Sequence, residues 1–301
     1  MKNQQKAYIF GIATVIMWST VASAFKLSLN HLDHIQLLLY SCIVSIAVLS
    51  FILIIQGKFT LIFSYSRRQY MQSLRLGFLN PFLYYLVLFK AYDLLPAQVA
   101  QPVNYTWALT LALLSIPLLK QKIGIRVIVA GLICYCGVFI ILSQGDIGNL
   151  RASDPRGVAL ALTSTIIWAL FWIYNTKDNR EPAAGLLLNF VFGLPFILVY
   201  CLAFSDIRVH SVAGLIGAAY VGVFEMGVTF VMWLYALRLS ENTAKVGYLI
   251  FLSPFISLVF IHFFVGETIL GSTFIGLILI VAGLILQQAG SSATGTKNPT
   301  V

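Results

Sequence analysis

The sequence predicts an all-α polytopic membrane protein: ten transmembrane helices arranged as two inverted five-helix repeats. Three observations predict it. The composition is too apolar for a soluble domain, ten apolar runs are each long enough to cross a bilayer, and a polar midpoint leaves five runs on either side. Of 301 residues, 59% are hydrophobic and 10% charged, against about 25% charged in an average soluble chain. One oversized core cannot absorb that shortfall, whereas lipid acting as solvent can.

A helix needs about 20 apolar residues to cross ~30 Å of hydrocarbon. The first run covers residues 7–28. Lys2 and Lys6 ahead of it and Ala22-Ser23-Ala24 near its end imitate a secretory leader. The apolar stretch is longer than a leader's and is followed by more spanning runs, so it is expected to stay as span one. Runs two and three, 35–55 and 74–92, flank the longest connection, Gly57 to Ser73, which carries Lys58, Arg67 and Arg68. Runs four and five, 97–119 and 123–142, complete the first half. Ser143 to Arg156, with Asp146, Arg151, Asp154 and Pro155, forms the polar midpoint. The second half follows as 157–175, 183–203, 212–236, 243–264 and 270–288. The expected organisation is a first repeat over 1–145, a periplasmic connector over 146–156, a second repeat over 157–289, and a Gly/Ser/Thr-rich, disordered cytoplasmic tail over 290–301.

The net charge of +9 does not mark a nucleic-acid binder, because the basic residues lie between the apolar runs and form no block that could track a phosphate backbone. They orient the chain instead. Lys2, Lys6, Lys58, Arg67, Arg68, Arg75, Lys120, Lys122, Arg126, Lys177, Arg180, Arg238, Lys245 and Lys297 fall on the side of the N-terminus, fourteen in all. Lys26, Lys90, Arg151, Arg156 and Arg208, five in all, fall on the other, which completes the 19. The positive-inside rule then predicts both termini in the cytoplasm of a cell whose inner membrane holds the chain. With five spans per half, the halves run in opposite directions, a common transporter architecture with its site near the midplane. A faint internal echo supports the repeat: Trp18 matches Trp168, and a lag of 146 residues pairs Ile123 with Ile269, Ala130 with Gly276 and Gly137 with Gly283.

Several stretches carry a resemblance to the drug/metabolite transporter superfamily, specifically its EamA-type carriers. In the second half they are Ala236-Leu237-Arg238-Leu239, Thr243-Ala244-Lys245-Val246, Leu252-Ser253-Pro254 and Gly266-Glu267. In the first half Trp18-Ser19-Thr20, Leu95-Pro96-Ala97 and Asn104-Tyr105-Thr106-Trp107 resemble the equivalent elements. Ala108 stands where Pro254 stands in the second repeat, and Lys120-Gln121 replaces the Gly-Glu pair. The resemblance covers roughly residues 7–288 and implies secondary transport of a small-molecule substrate in a lipid environment, as a monomer or homodimer. An exporter of an amino acid or related amine leads. An uncoupled facilitator, a drug or cation exporter and, in a different class, a membrane-embedded enzyme are the alternatives. The enzyme reading lacks a tight catalytic cluster, since His31, His34, His210 and His262 are scattered, and no nucleotide motif is present. No cofactor, metal or disulfide is expected, with Cys42, Cys134, Cys136 and Cys201 all inside apolar runs.

Ionisable groups inside a span cost roughly 2.5–3.5 kcal/mol at the helix centre and are functional candidates by default. Glu225, thirteen residues into the eighth run, is the clearest, as a proton-coupling or cation-contacting group or as a structural polar group. Gln98, Gln101, Asn104 and Tyr105 share one face of the fourth run, and Ser19, Ser23 and Lys26 share one of the first. Asn80, Tyr84 and Tyr85 do so in the third. Such stripes face a water-filled cavity or hydrogen-bond to other helices. Trp168, Trp172 and Asn175 repeat at helical spacing in the sixth run, with Trp18 as counterpart in the first, as cavity wall or packing. Lys26 and Lys90 snorkel or touch substrate. Lys245 has Glu241 one turn away, and Glu267 suits a cap or loop contact. Pro81, Pro102, Pro195 and Pro254 are expected to bend their helices, and Gly131, Gly137, Gly276 and Gly283 to admit close packing of spans five and ten.

Overall fold

The computed structural model describes residues 3–120, 125–144, 146, 153–175, 178–240 and 246–293, with side chains up to Gln287, and every regular element among them is helical. Each apolar run is realised as a span. Spans one and two are Asn3–Leu29 and His34–Ile55, span five is Ile125–Leu142, spans six and seven are Pro155–Asn175 and Pro182–Phe204, and span ten is Gly271–Ala293. The pair expected between Lys245 and Glu241 lies outside the described residues, as do Gly148 and most of the tail beyond 290.

The other four spans are broken. Span three is assembled from Arg67–Gly77, a π-helical turn Phe78–Leu83 and Tyr84–Leu94. Its break is at Asn80, extended at φ −144° and ψ 116°, ahead of Pro81. Span four divides at Thr106 into Ala97–Tyr105 and Trp107–Leu119, and span eight at Glu225 to Gly227 into Val212–Phe224 and Val228–Leu239. Span nine opens with a 3-10 stretch, Tyr248–Leu252, before Ser253–Phe260. The breaks come in equivalent pairs. A shift of 146 residues carries Asn80 to Met226, beside Glu225, and Thr106 to Leu252, at the 3-10 to α junction.

Three expectations are corrected. The connection from Gly57 to Ser73 is largely helical: Phe59–Phe63 forms a 3-10 turn, and a capping box starts a helix at Arg67. Gln69 Oε1 accepts the Ser66 N–H at 2.9 Å and the Gln69 N–H reaches Ser66 Oγ at 3.4 Å, a local signal that apolarity does not register. Pro195 leaves span seven unbroken and Pro254 sits in a first helical turn, where its missing N–H has no helical acceptor to lose. Gly131 faces the Leu109 side chain of span four at 3.5 Å rather than span ten.

Gly137, Gly276 and Gly283 do join spans five and ten. A Cβ on Gly137 would stand 2.4 Å from the Gly276 carbonyl oxygen, one on Gly276 2.5 Å from that of Gly137, and one on Gly283 2.7 Å from that of Ala130. As one number falls from 137 to 130 its partner rises from 276 to 283, so the two spans are antiparallel. They are also the same element of each repeat, so the repeats are inverted about an axis that crosses these helices near Cys134, whose thiol donates to the Ile280 carbonyl at 3.3 Å. Cys134 and Ile280 are themselves 146 apart. The outer surface is apolar, with Phe51, Ile55, Phe204 and Phe263 more than 60% exposed, as lipid contact requires.

Candidate functional site

Aromatic side chains from both repeats meet at mid-depth. Trp168 of span six is the hub. It stacks on Tyr84 of span three, with centroids 4.3 Å apart at 26°, and meets Phe230 of span eight and Trp172 edge-on at 5.8 Å. Trp107 of span four meets it edge-on at 6.4 Å. Trp18 extends the wall through Phe230 at 5.8 Å and Trp233 at 5.7 Å. Offset and edge-to-face pairs of this kind contribute about 0.5–1.5 kcal/mol each beyond burial, which makes the wall rigid.

Polar groups are threaded through it. The Tyr84 hydroxyl donates to Asn104 Oδ1 at 3.4 Å, and Asn104 Nδ2 donates to Ser164 Oγ at 3.0 Å, so one amide links spans three, four and six. Glu225 lies in the break of span eight, where its own N–H and that of Met226 share the Val221 carbonyl. The Tyr85 hydroxyl donates to its Oε1 at 3.1 Å. The second half of the span restarts at Val228 with no side-chain cap, so the positive end of a helix begins beside the carboxylate. Among the described residues no cation pairs with Glu225, and the other carboxylates lie at helix ends or in connections.

Glu225, Asn104, Trp18 and Trp107 stay half-buried, while their partners Tyr84, Tyr85, Trp168 and Phe230 are buried. These are mid-span residues whose hydrogen bonds and ring contacts run to other spans. The remaining candidates are placed elsewhere. Lys26 donates to the carbonyls of Tyr92 at 2.6 Å and Leu95 at 2.8 Å, occupying the C-terminal end of span three, the favourable place for a cation. Gln98 binds the connection to span ten through Thr268, Leu270 and Thr273. Glu267 caps span four, its oxygens accepting from the Ala97 and Gln98 N–H groups at 2.6 and 3.1 Å. Trp172 is buried with its indole N–H unpartnered among the described residues, and Gln101 is buried with Oε1 likewise unpartnered among them. Sequence reasoning overlooked Ser164 and Phe230 in this site, which stand in a helix interior with no pattern of their own.

The two halves of this chain and its overall fold are each matched by known proteins. The profile of the EamA-like transporter family matches residues 5–143 and again 155–287. The chain belongs to the EamA-like transporter family. It is therefore a transporter rather than an enzyme, a multi-pass protein handling a small-molecule substrate in lipid. An uncharacterized transporter of Clostridium kluyveri is 28% identical over 63% of this chain, which spans 66% of that protein's length. The uncharacterized transporter YxxF of Bacillus subtilis is 22% identical over 98% of this chain and 95% of its own. Protein PecM of Dickeya dadantii is 25% identical over 71% of this chain and 72% of its own. A crystal structure sharing 18% identity superposes with a TM-score of 0.67 over 97% of this EamA-like chain and 99% of its own, a likeness of fold.

Proposed function

We propose that this EamA-like protein exports a small amine-bearing metabolite, an amino acid or related amine, by alternating access around the aromatic chamber, with Glu225 as the coupling group. The observation that carries the reading is one carboxylate at a mid-span helix break, held by a tyrosine hydroxyl, paired with no cation among the described residues, and facing rings on which an ammonium can rest. A carboxylate so placed can hold either a proton or a substrate ammonium. Competition between the two is the simplest way to exchange one for the other across a membrane, which favours proton coupling over an uncoupled facilitator. Asn104 and Gln101 supply neutral hydrogen bonds, and Trp18, Tyr84, Trp168 and Trp172 the apolar wall. The fourteen-to-five distribution of Lys and Arg supports a bacterial inner-membrane placement with both termini cytoplasmic. The repeats then comprise residues 1–145 and 157–289, joined by a periplasmic connector.

The test is uptake and exchange in liposomes holding purified protein, with amino acids, amines, nucleosides and cationic dyes as the panel, with and without an imposed pH gradient. Glu225→Gln keeps size and hydrogen bonding but cannot exchange a proton. It is expected to abolish gradient-driven transport at normal membrane abundance. An unchanged rate with unchanged pH dependence would return Glu225 to a structural role.

A further inference from the structure

Ser19 Oγ of span one donates to Ser253 Oγ of span nine at 3.2 Å, and Tyr105 of span four lies near Ser253 and within electrostatic reach of Glu225. Three spans thus touch at the chamber's edge. Spans one and nine are both odd-numbered and run in the same direction, while span four runs against them. One turn away from the N-terminal face, about 6 Å along the axes, the residues brought level are Ser23, Ser257 and Gln101. All three are 4% exposed or less, and the oxygens Ser23 Oγ, Ser257 Oγ and Gln101 Oε1 have no partner among the described residues. The habit elsewhere in this chain is for a serine to close on its own helix, as Ser19 does on Val15, Ser28 on Ala24 and Ser115 on Leu111. Among the described residues Ser23 and Ser257 make no such bond, as Ser45 also does not, and helical register sets Gln101 at the level of the first two. Pro102 adds an acceptor there, since a proline at that position offers no N–H to the Gln98 carbonyl. A further turn out, Gln98 and Lys26 continue the polar line to Glu267.

We propose that this seam between spans one, four and nine is a water-filled passage joining the chamber to the face opposite the N-terminus, and that protons reach Glu225 along it; the second half rests on the coupling role given to Glu225 above. Water fits the chemistry better than a metal cation. The seam offers neutral oxygens and hydroxyl protons, which suit a molecule that both donates and accepts, and the Lys26 ammonium one turn away repels a cation. Among the described residues, the charged and titratable groups facing the route are Lys26, Glu267 and His262 at its outer end, with Asp93 nearby, and Tyr92, Tyr105, Tyr84 and Tyr85 between there and Glu225.

Single cysteines in place of Ser23, Ser257 and, as comparator, Ser41, whose hydroxyl is bonded to the Ala218 carbonyl, test it in a Cys136→Ala background. The probe is 2-aminoethyl methanethiosulfonate, which attacks thiolates in water. Cysteines at 23 and 257 are expected to label at least ~10-fold faster than one at 41, and the pair Ser23→Val and Ser257→Val to lower the maximal rate of gradient-driven transport several-fold with KM unchanged. Labelling no faster than at position 41 means a dry seam and overturns the passage, even where Glu225→Gln abolishes coupling. Protection by sodium but not by choline assigns the oxygens to a cation and overturns it too. Labelling as expected with Glu225→Gln unaltered in pH dependence overturns the proton route through the Glu225 reading alone.

Discussion

Gly137→Ala drives one methyl group into the contact on which the two repeats close. The added Cβ would lie 2.4 Å from the Gly276 carbonyl oxygen, 3.0 Å from Ile280 Cγ1 and 3.1 Å from the Ile280 nitrogen. An ordinary carbon–oxygen approach is about 3.3–3.6 Å, so spans five and ten must part by ~1 Å. The obstacle is backbone and cannot rotate away. Overpacking typically costs 1–3 kcal/mol, and the helix preference of alanine over glycine offsets up to ~1 kcal/mol, leaving a net loss of roughly 0.5–2 kcal/mol. Gly276→Ala meets the same gap from the other side, with the Gly137 carbonyl oxygen at 2.5 Å. Once one methyl has opened the gap, the second finds room, so the double variant should lose clearly less than the sum of the singles. Gly271→Ala, which meets nothing within 4 Å, is the control. Unfolding of purified protein by SDS titration in mixed micelles reads all four. Wild-type stability for Gly137→Ala, or strict additivity in the double variant, would refute the antiparallel contact and with it the inversion axis at Cys134.

Asn104→Ala is expected to lower transport at least tenfold at unchanged membrane abundance, because it removes the amide that ties Tyr84 to Ser164. Trp168→Tyr should raise KM more than it lowers stability, since ring stacking on Tyr84 is retained; equal activity in both variants would place these side chains in packing alone. At the N-terminal face, Arg180 is 6% exposed, holds Asp178 through contacts of 2.6 and 2.9 Å, donates to Ser73 Oγ at 2.6 Å and lies over the Tyr65 ring. Arg180→Met strands the Asp178 carboxylate and should cost about 3–5 kcal/mol, with part of that recovered by adding Asp178→Asn; the same SDS titration checks it.

The ten spans were legible because each depends on a sum over twenty residues, in which a single exception hardly counts. The site depends on single residues and was only partly so. Apolarity carries no information on backbone angles, so Asn80 and Pro81 could be suspected as a break, but Thr106, four residues beyond Pro102, could not. Glu225 stood out for its charge, while its partner Tyr85 is 140 positions away and only the fold brings the two together. Lys26 shows the opposite failure. Its place near a helix end was legible, yet nothing local says that the carbonyls of Tyr92 and Leu95, in another span, take up its ammonium. The polar helix Arg67–Gly77 was hidden for a simpler reason: its start is written in the Ser66 and Gln69 capping box rather than in hydrophobicity.

The two repeats keep their symmetry where spans five and ten meet and lose it at the breaks of spans three and eight. Spans five and ten still exchange equivalent contacts across the axis, Gly137 with Gly276 and Ala130 with Gly283, because a side chain on any of the three glycines would push the halves apart. The breaks in spans three and eight occupy equivalent places but carry different chemistry: Asn80, neutral, 0% exposed and with neither amide atom partnered among the described residues, in one half, and the Glu225 carboxylate in the other. Two carboxylates at such related depths would repel one another and each would need a cation to compensate it. One carboxylate and one amide leave a single ionisable group between two rigid, oppositely oriented halves. On the coupling role proposed for Glu225, this arrangement would exchange a proton for an ammonium with the least charge, the two halves sharing the place of the break and differing in the residue that occupies it.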